Sequence, residues 1–493
     1  MIRKLVTVLC FISMPCSFAG EKISSPDKHQ NDSEAPGGFW GVFSAIPTPQ
    51  NMPAGSNELA DKLQVSPAEI ELRPLGKPPQ SQQADRMINW LDAIHVAVNR
   101  HPSIISSVAS LESTGFGVEA ANAGYLPNIS AGVTSGRQED KGTGQIATLG
   151  LSQMLYDFGK TGSMVDLASA KFLRQQASVL EQVDSIIQQT ALALNEVYRY
   201  AQLVENARLQ VASLRDILKL TQMRAQAGAS SRIDPVQAQA RVEAAEAQQQ
   251  EMEIKLQQER FLLQSLLGQS VVEAQLSAPQ DLLPLIQREG ERVDLNKNPT
   301  VLVAQADAVI AKAELRSYKA QRYPTLSLEA SSNKYVGNIA DYQTRSQYNN
   351  VYLSLNSSIY QGGALVAQEN ASAKALEAAR TTIDSKKIQL TDQQRSYYHN
   401  ILGLQRNIKI LKKRMETITE TRALYREQYL SLGNRNALDL LNAEQEISRA
   451  QLDLINAACD LWASELNYVV LSGMARDVFN LNNKIIHGLR IAP

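Results

Sequence analysis

Apolar positions along the chain keep two distinct rhythms. Tyr397, Ile401, Leu404, Ile408, Leu411, Met415 and Ile418 are separated by four and three residues in turn. Leu438, Leu441, Gln445, Ser448, Leu452, Ile455, Cys459, Trp462 and Leu466 keep the same alternation. Heptads sustained over this distance predict helices packed as coiled coils. Very long helical stretches are expected at about 160–226 and 364–430, each of a size to run on the order of 100 Å. Return helices are expected at about 233–267 and 437–472, and shorter leading helices at about 86–124 and 300–322. Four short stretches have a period of two instead: 128–134 (NISAGVT), 147–156 (ATLGLSQMLY), 325–332 (TLSLEASS) and 351–360 (VYLSLNSSIY). In the last, Val351, Leu353, Leu355 and Ile359 share one face, while Tyr352, Ser354, Asn356 and Ser358 share the other, as in a strand with one apolar side.

These elements occur twice in the same order. Pro102 matches Pro299 and Pro127 matches Pro324 at a spacing of 197; LYDFG (155–159) matches IYQGG (359–363) at 204. GASSRIDPVQAQAR (228–241) matches GNRNALDLLNAEQE (433–446) at 205, aligning Gly228 with Gly433 and Asp234 with Asp439. Ordered matches at near-constant spacing mark an internal duplication. The first repeat is placed at 86–290 and the second at 291–475, with a tail at 476–493. The first nineteen residues have the basic start, apolar run and small-residue cleavage site of a secretory signal; a lipid anchor at Cys16 is the rival reading. Ten of the eighteen prolines lie within residues 1–79, so 20–85 is expected to be an extended Pro/Gly-rich arm.

Past the signal no long apolar run is present, so a membrane location requires a β-barrel. Four strands cannot close one. Three copies would supply twelve strands in a ring, continued by their helices as a tube that projects into water. Tyr125, Tyr156, Tyr323 and Tyr360 fall where strand meets helix. An aromatic girdle at the lipid headgroups and ordinary packing at strand ends both fit that position.

The paired post-proline strands, LYDFG and IYQGG, and the twin glycine turns resemble the TolC-like outer membrane efflux and secretion family, over about residues 86–475. GNRNALDLLNAEQE is most similar to its type I secretion branch. The resemblance implies a fold mainly α with a small β part: a homotrimeric channel of twelve strands and twelve helical positions. It also implies a periplasmic adaptor and an inner-membrane ABC or other pump as partners, and an exported protein or small molecule as cargo. It implies a periplasmic gate in which Arg435 links to Asp234, and a pore constriction at Asp439. Two departures stand out: Asn442 occupies the place of a second acid, and the tyrosine expected at Leu430 is one residue away, at Tyr429. Gly228 and Gly433 would form the tip turns. Independently, Ser231-x-x-Asp234 and Asn436-x-x-Asp439 fit helix capping, with acids suited to helix N-termini.

Composition narrows the function classes. The formal net charge of −1 indicates no nucleic-acid partner. No phosphate-binding loop is present, and the five histidines form no metal-ligand spacing, so neither an enzyme nor a cofactor is expected. Cys459, the one cysteine left after signal removal, sits on a heptad seam and reads as a small hydrophobe. Small-molecule efflux is the alternative cargo class. A periplasmic coiled-coil scaffold is a further alternative, but it would leave the four duplicated strands unexplained.

Overall fold

A computed structural model of the 493-residue chain describes residues 89–138, 142–269, 276–289, 294–337, 347–432, 435–482 and 484–490. The expected signal, the arm and Gly433 lie outside the described residues. The first repeat comprises α1 (Trp90–Arg100), α2 (Pro102–Asn122), β1 (Asn128–Gln138), β2 (Gly142–Tyr156), α3 (Lys160–Gln226) and α4 (Ile233–Leu267). A short α5 (Leu283–Glu289) follows. The second repeat comprises α6 (Pro299–Ala320), β3 (Thr325–Gly337), β4 (Gln347–Asn356), α7 (Ala364–Glu427) and α8 (Ala437–Leu471).

The leading helix of the first repeat is two helices, where the periodicity suggested one. Pro102 disfavours helical backbone at the preceding residue, and His101 is extended (ψ 125°), its Nδ1 accepting from the Ser103 amide at 3.3 Å. The second repeat uses the same device: Asn298 is extended before Pro299 and accepts from the Thr300 amide at 2.9 Å. At the strand-to-helix corners the repeats share backbone but not side chains. Phe158 and Gly159 have φ of 56° and 91°; Gly362 and Gly363 have 62° and 87°. Left-handed backbone of this kind favours glycine. In the first corner Asp157 supplies the support, its carboxylate accepting from the Gly159 and Thr161 amides at 3.0 and 2.6 Å.

The sheet is antiparallel in the order β1-β2-β3-β4. Its strands extend beyond the expected segments at the loop end, because 135–138, 142–146 and 333–337 pair although Ile146, Tyr335 and Val336 are too few to set up an alternation. β4 stops at Asn356, four residues earlier than expected. Its partner β3 begins at Thr325, directly after Pro324, so residues beyond Asn356 meet no strand. Ile359 therefore leaves the apolar face and is 96 % exposed.

α3 packs on α2, α4, α6 and α8, whereas α7 packs on α6 and α8. The main core lies mid-length along α3, around Leu180, Ile187, Leu194, Leu263, Tyr468 and Phe479. Trp90 and Trp462 meet edge to face at 4.5 Å and donate to the carbonyls of Ser277 and Gln280, pinning the inter-repeat segment to this core. Cys459 is buried beside Leu203 and Ile455, and burial pushes its thiol up to about 11. That is the setting of a packing residue rather than a nucleophile.

Candidate functional sites: the sheet face and the helical tip

The register sorts the sheet into two chemistries. One face carries Ile129, Ala131, Val133, Ala147, Leu149, Leu151, Leu326, Leu328, Ala330, Val351, Leu353 and Leu355. The other carries Ser130, Thr134, Thr148, Ser152, Ser327, Glu329, Asn333, Tyr352 and Ser354, with Thr148 donating to Asn333 at 2.8 Å. The apolar face is uncovered: Ile129, Val133, Val351, Leu353 and Leu355 are all exposed. Among the described residues β1 and β4 each have only one strand neighbour. No described helix is long and apolar enough to cross a membrane, so this sheet is the described element whose surface suits lipid.

At the strand-helix boundary Tyr156 meets Phe158 at 4.7 Å, and Phe158 stacks on Tyr323 at 5.6 Å. Tyr125 lies close to Gly162 of α3. Phe158 thus joins two of the four anticipated tyrosines, although its apolar character alone gave it no role. Tyr360 stands apart, beyond the end of β4 and 83 % exposed.

At the opposite end the two repeats turn differently. α3 closes through Gly228 (φ 72°), with the Ala229 amide donating to the Arg224 carbonyl at 2.8 Å. α7 instead ends in a π turn, Gln428–Leu432. Ser231 accepts from the Ile233 amide at 3.2 Å, and Asp234 sits in the first turn of α4. Asn436 makes no side-chain cap, so the capping box anticipated at Asn436-x-x-Asp439 does not form.

Arg435 is held by three groups of its own repeat. It donates to Gln428 at 3.0 Å, pairs with Asp439 at 3.4 Å and lies 4.5 Å from the Tyr425 ring centroid. The pairing with Asp439 is an i,i+4 contact along the start of α8. Among the described residues no ion pair joins Arg435 to the anticipated partner Asp234 within the chain; its carboxylate partner is Asp439. Asp439 is half-buried and Asn442 is exposed on the next turn. Tyr429 is buried (2 % exposed), its carbonyl accepting from Arg224 at 2.6 Å and its ring 4.5 Å from that guanidinium. Burial raises the Tyr429 hydroxyl pKa; Arg224 opposes the shift and Asp234 adds to it. Arg224 escaped the sequence reading, although it precedes Tyr429 by the 205 residues of the duplication. Further along α8, Glu444 is buried against Arg422 at 3.3 Å, and burial raises its pKa despite that partner.

Among the described residues no cluster of ligating side chains suits a metal ion. The family model described as outer membrane efflux protein matches residues 93–269 and 294–473, which coincide with the two structural repeats. The chain is similar to the alkaline protease secretion protein AprF of Pseudomonas aeruginosa, 25% identical over 404 residues, covering 76% of this chain and 82% of that protein. It is also similar to the outer membrane protein TolC of Escherichia coli, 22% identical over 425 residues, covering 80% and 85%. Among solved structures, the outer membrane protein VceC of Vibrio cholerae superposes with a TM-score of 0.68 at 18% identity, over 78% of this chain and 96% of that one. That likeness establishes the fold of long helices with a four-stranded sheet. The chain belongs to the outer membrane efflux protein family, the TolC-like, non-enzymatic channels of the Gram-negative outer membrane whose tunnel extends into the periplasm.

Proposed function

We propose that three copies of the chain form the exit channel of a type I protein secretion system. In this reading an inner-membrane ABC pump and a periplasmic adaptor pass a polypeptide through the tube to the cell exterior. The observation that carries the trimer is the sheet itself: one exposed apolar face, one polar face and two unpaired edge strands. Open edges in lipid leave backbone groups unsatisfied, and a closed ring of sheets removes them. Twelve strands with apolar residues outward and polar residues inward make a wet channel in lipid.

The helices support the same assembly. α4 packs on α3 through Ala238, Val242, Ala245, Leu256 and Leu263, yet Ile233, Val236, Ile254 and Phe261 on its other side are exposed. On α7, Ile388, Ile410 and Leu424 are exposed in the same way. Each helix thus carries a second, interrupted stripe of apolar residues, and pairing α4 of one copy with α7 of the next would cover both. The two are also complementary in charge: acidic residues outnumber basic ones along α4, and basic outnumber acidic along α7.

Protein cargo is favoured by the likeness to a protease secretion protein and by the basic–D-L-L tip of the second repeat. Deleting the gene in the bacterium that carries it should remove a polypeptide from the medium and leave drug susceptibility unchanged. The reverse pair of results would reassign the channel to small-molecule efflux. At the tip, Arg435 and Asp439 are the proposed gate and constriction, with Asp234 of a neighbouring copy within Arg435's choice of partners. Exposed ion pairs contribute only ~0.2–1 kcal/mol each, which suits a gate that an adaptor has to open. Arg435→Glu should raise the resting conductance in planar bilayers, and unchanged conductance would remove Arg435 from the gate.

A further inference from the structure

The tip of the second repeat packs on the first through an apolar cluster that joins Ala437, Leu440 and Leu441 to Val211, Leu214, Ala238 and Val242, and its π turn adds a polar contact to that packing. The π turn Gln428–Leu432 departs from the α-helical ladder, a rare conformation that is frequent at functional sites. The Tyr429 carbonyl within it accepts its 2.6 Å hydrogen bond from Arg224, on the last turn of α3 in the first repeat. The same guanidinium lies over the Tyr429 ring, 4.5 Å from its centroid. A charge-assisted bond and a cation–π contact from one side chain form a strong, direction-specific grip. Arg224 and Tyr429 are 205 residues apart, so they occupy equivalent places in the duplication. There the first repeat has a cation and the second a ring. Arg435 differs: Gln428, Asp439 and Tyr425 all belong to its own repeat. Arg435 stiffens one tip, while Arg224 ties two tips together.

We propose that Arg224 is the latch of the closed channel: it holds the π turn wound and fastens the second-repeat tip to the first, and opening requires its withdrawal from Tyr429. The inference rests on the gated-channel reading above and assigns that gate a further residue. A second feature fits a joint that must release. Among the described residues the Tyr429 hydroxyl is buried with no hydrogen-bond partner, and so is Arg224 Nε. This arrangement therefore leaves polar groups unsatisfied that withdrawal of Arg224 would return to water.

The test uses the full-length channel purified in detergent and placed in planar bilayers. Arg224→Gln should raise the resting conductance severalfold while the assembly keeps its wild-type mass. Arg224→Lys keeps the charge over the ring but loses the planar fork that also reaches the carbonyl, so it should fall between wild type and Arg224→Gln. Tyr429→Leu removes the ring and leaves the carbonyl, and should be intermediate as well. If Arg224→Gln does not assemble, the conductance of Tyr429→Leu decides by the same criterion. Wild-type conductance in the assembled Arg224 and Tyr429 variants, alongside opening by Arg435→Glu, would overturn the latch and leave the gate standing. Unchanged conductance in all of them, Arg435→Glu included, would overturn both.

Discussion

α3 and α7 descend from one duplicated segment and have 67 and 64 residues, yet 25 residues of α3 are buried against four of α7. The difference is one of neighbours, not of helical character. α3 runs through the middle of the chain, flanked on several sides. α7 lies at an edge: its heptad residues Tyr397, Leu404, Ile408, Leu411, Met415 and Ile418 are only half covered, on the side that meets α8. The sheet has the same asymmetry, with β2 and β3 paired on both sides and β1 and β4 on one. Two kinds of element thus end in unfinished edges. Surface that is apolar, periodic and uncovered marks an interaction site rather than a solvent face.

Breaking the edges is the severest test of that comparison. Ile254→Asp combined with Ile410→Asp should abolish the trimer in detergent, because it places charge in both proposed stripes. The same change at Ile187 of α3 would instead unfold the single chain. Next in size is the sheet. Leu353→Arg should destabilise the membrane-inserted protein by ~2–4 kcal/mol, the magnitude for a cation on the lipid face near the bilayer midplane. Ser354→Arg, one residue along and on the polar face, should insert normally. Denaturant titration in lipid vesicles separates the two, and equal losses would contradict the assignment of faces.

A smaller effect sharpens the comparison between repeats. Glu465 of α8 is buried beside Asp281 and the Leu282 amide, and burial lifts its pKa to about 7. A carboxyl whose folded pKa exceeds its unfolded value contributes stability that is complete below the unfolded pKa and is lost as pH rises through the folded one. Stability should therefore fall between about pH 4.5 and pH 7. Glu465→Gln should flatten that fall and raise stability at pH 8 by ~1–3 kcal/mol, measured by urea unfolding across pH. An unchanged profile would show that Glu465 is ionised in the fold. Smallest of all, Gly159→Ala and Gly363→Ala should each cost ~1–2 kcal/mol, since both residues have φ near 90°. A large difference between them would show that the two corners are not equivalent.

Much of this architecture was readable before any coordinates. Heptad spacing located the long and return helices of the second repeat closely, because coiled-coil packing repeats one physical demand many times over, and the duplication placed their counterparts in the first repeat. Strand existence was also plain, since Leu353 and Leu355 alternate with Tyr352 and Ser354. Strand ends were not, because 333–337 (NKYVG) pairs through its backbone while its hydrophobicity is too brief to show an alternation. The break at His101 was visible as a proline signal but is outweighed by periodicity on either side. At the tip, the family motif pointed to Asp234, Arg435 and Asp439 and paired Arg435 with Asp234, whereas the pair within the chain is Arg435 with Asp439. A pairing such as Arg224 with Tyr429 depends on how two repeats pack, and neither segment alone announces it. The duplication offset was the one clue available.

The central claim is that a single chain carries an incomplete cylinder. Its most direct test is the mass of the folded protein, measured by light scattering in mild detergent with the detergent contribution subtracted. The account predicts three times the chain mass, with the sheet content intact by circular dichroism. A folded species at one chain mass, with the same sheet content, would contradict it.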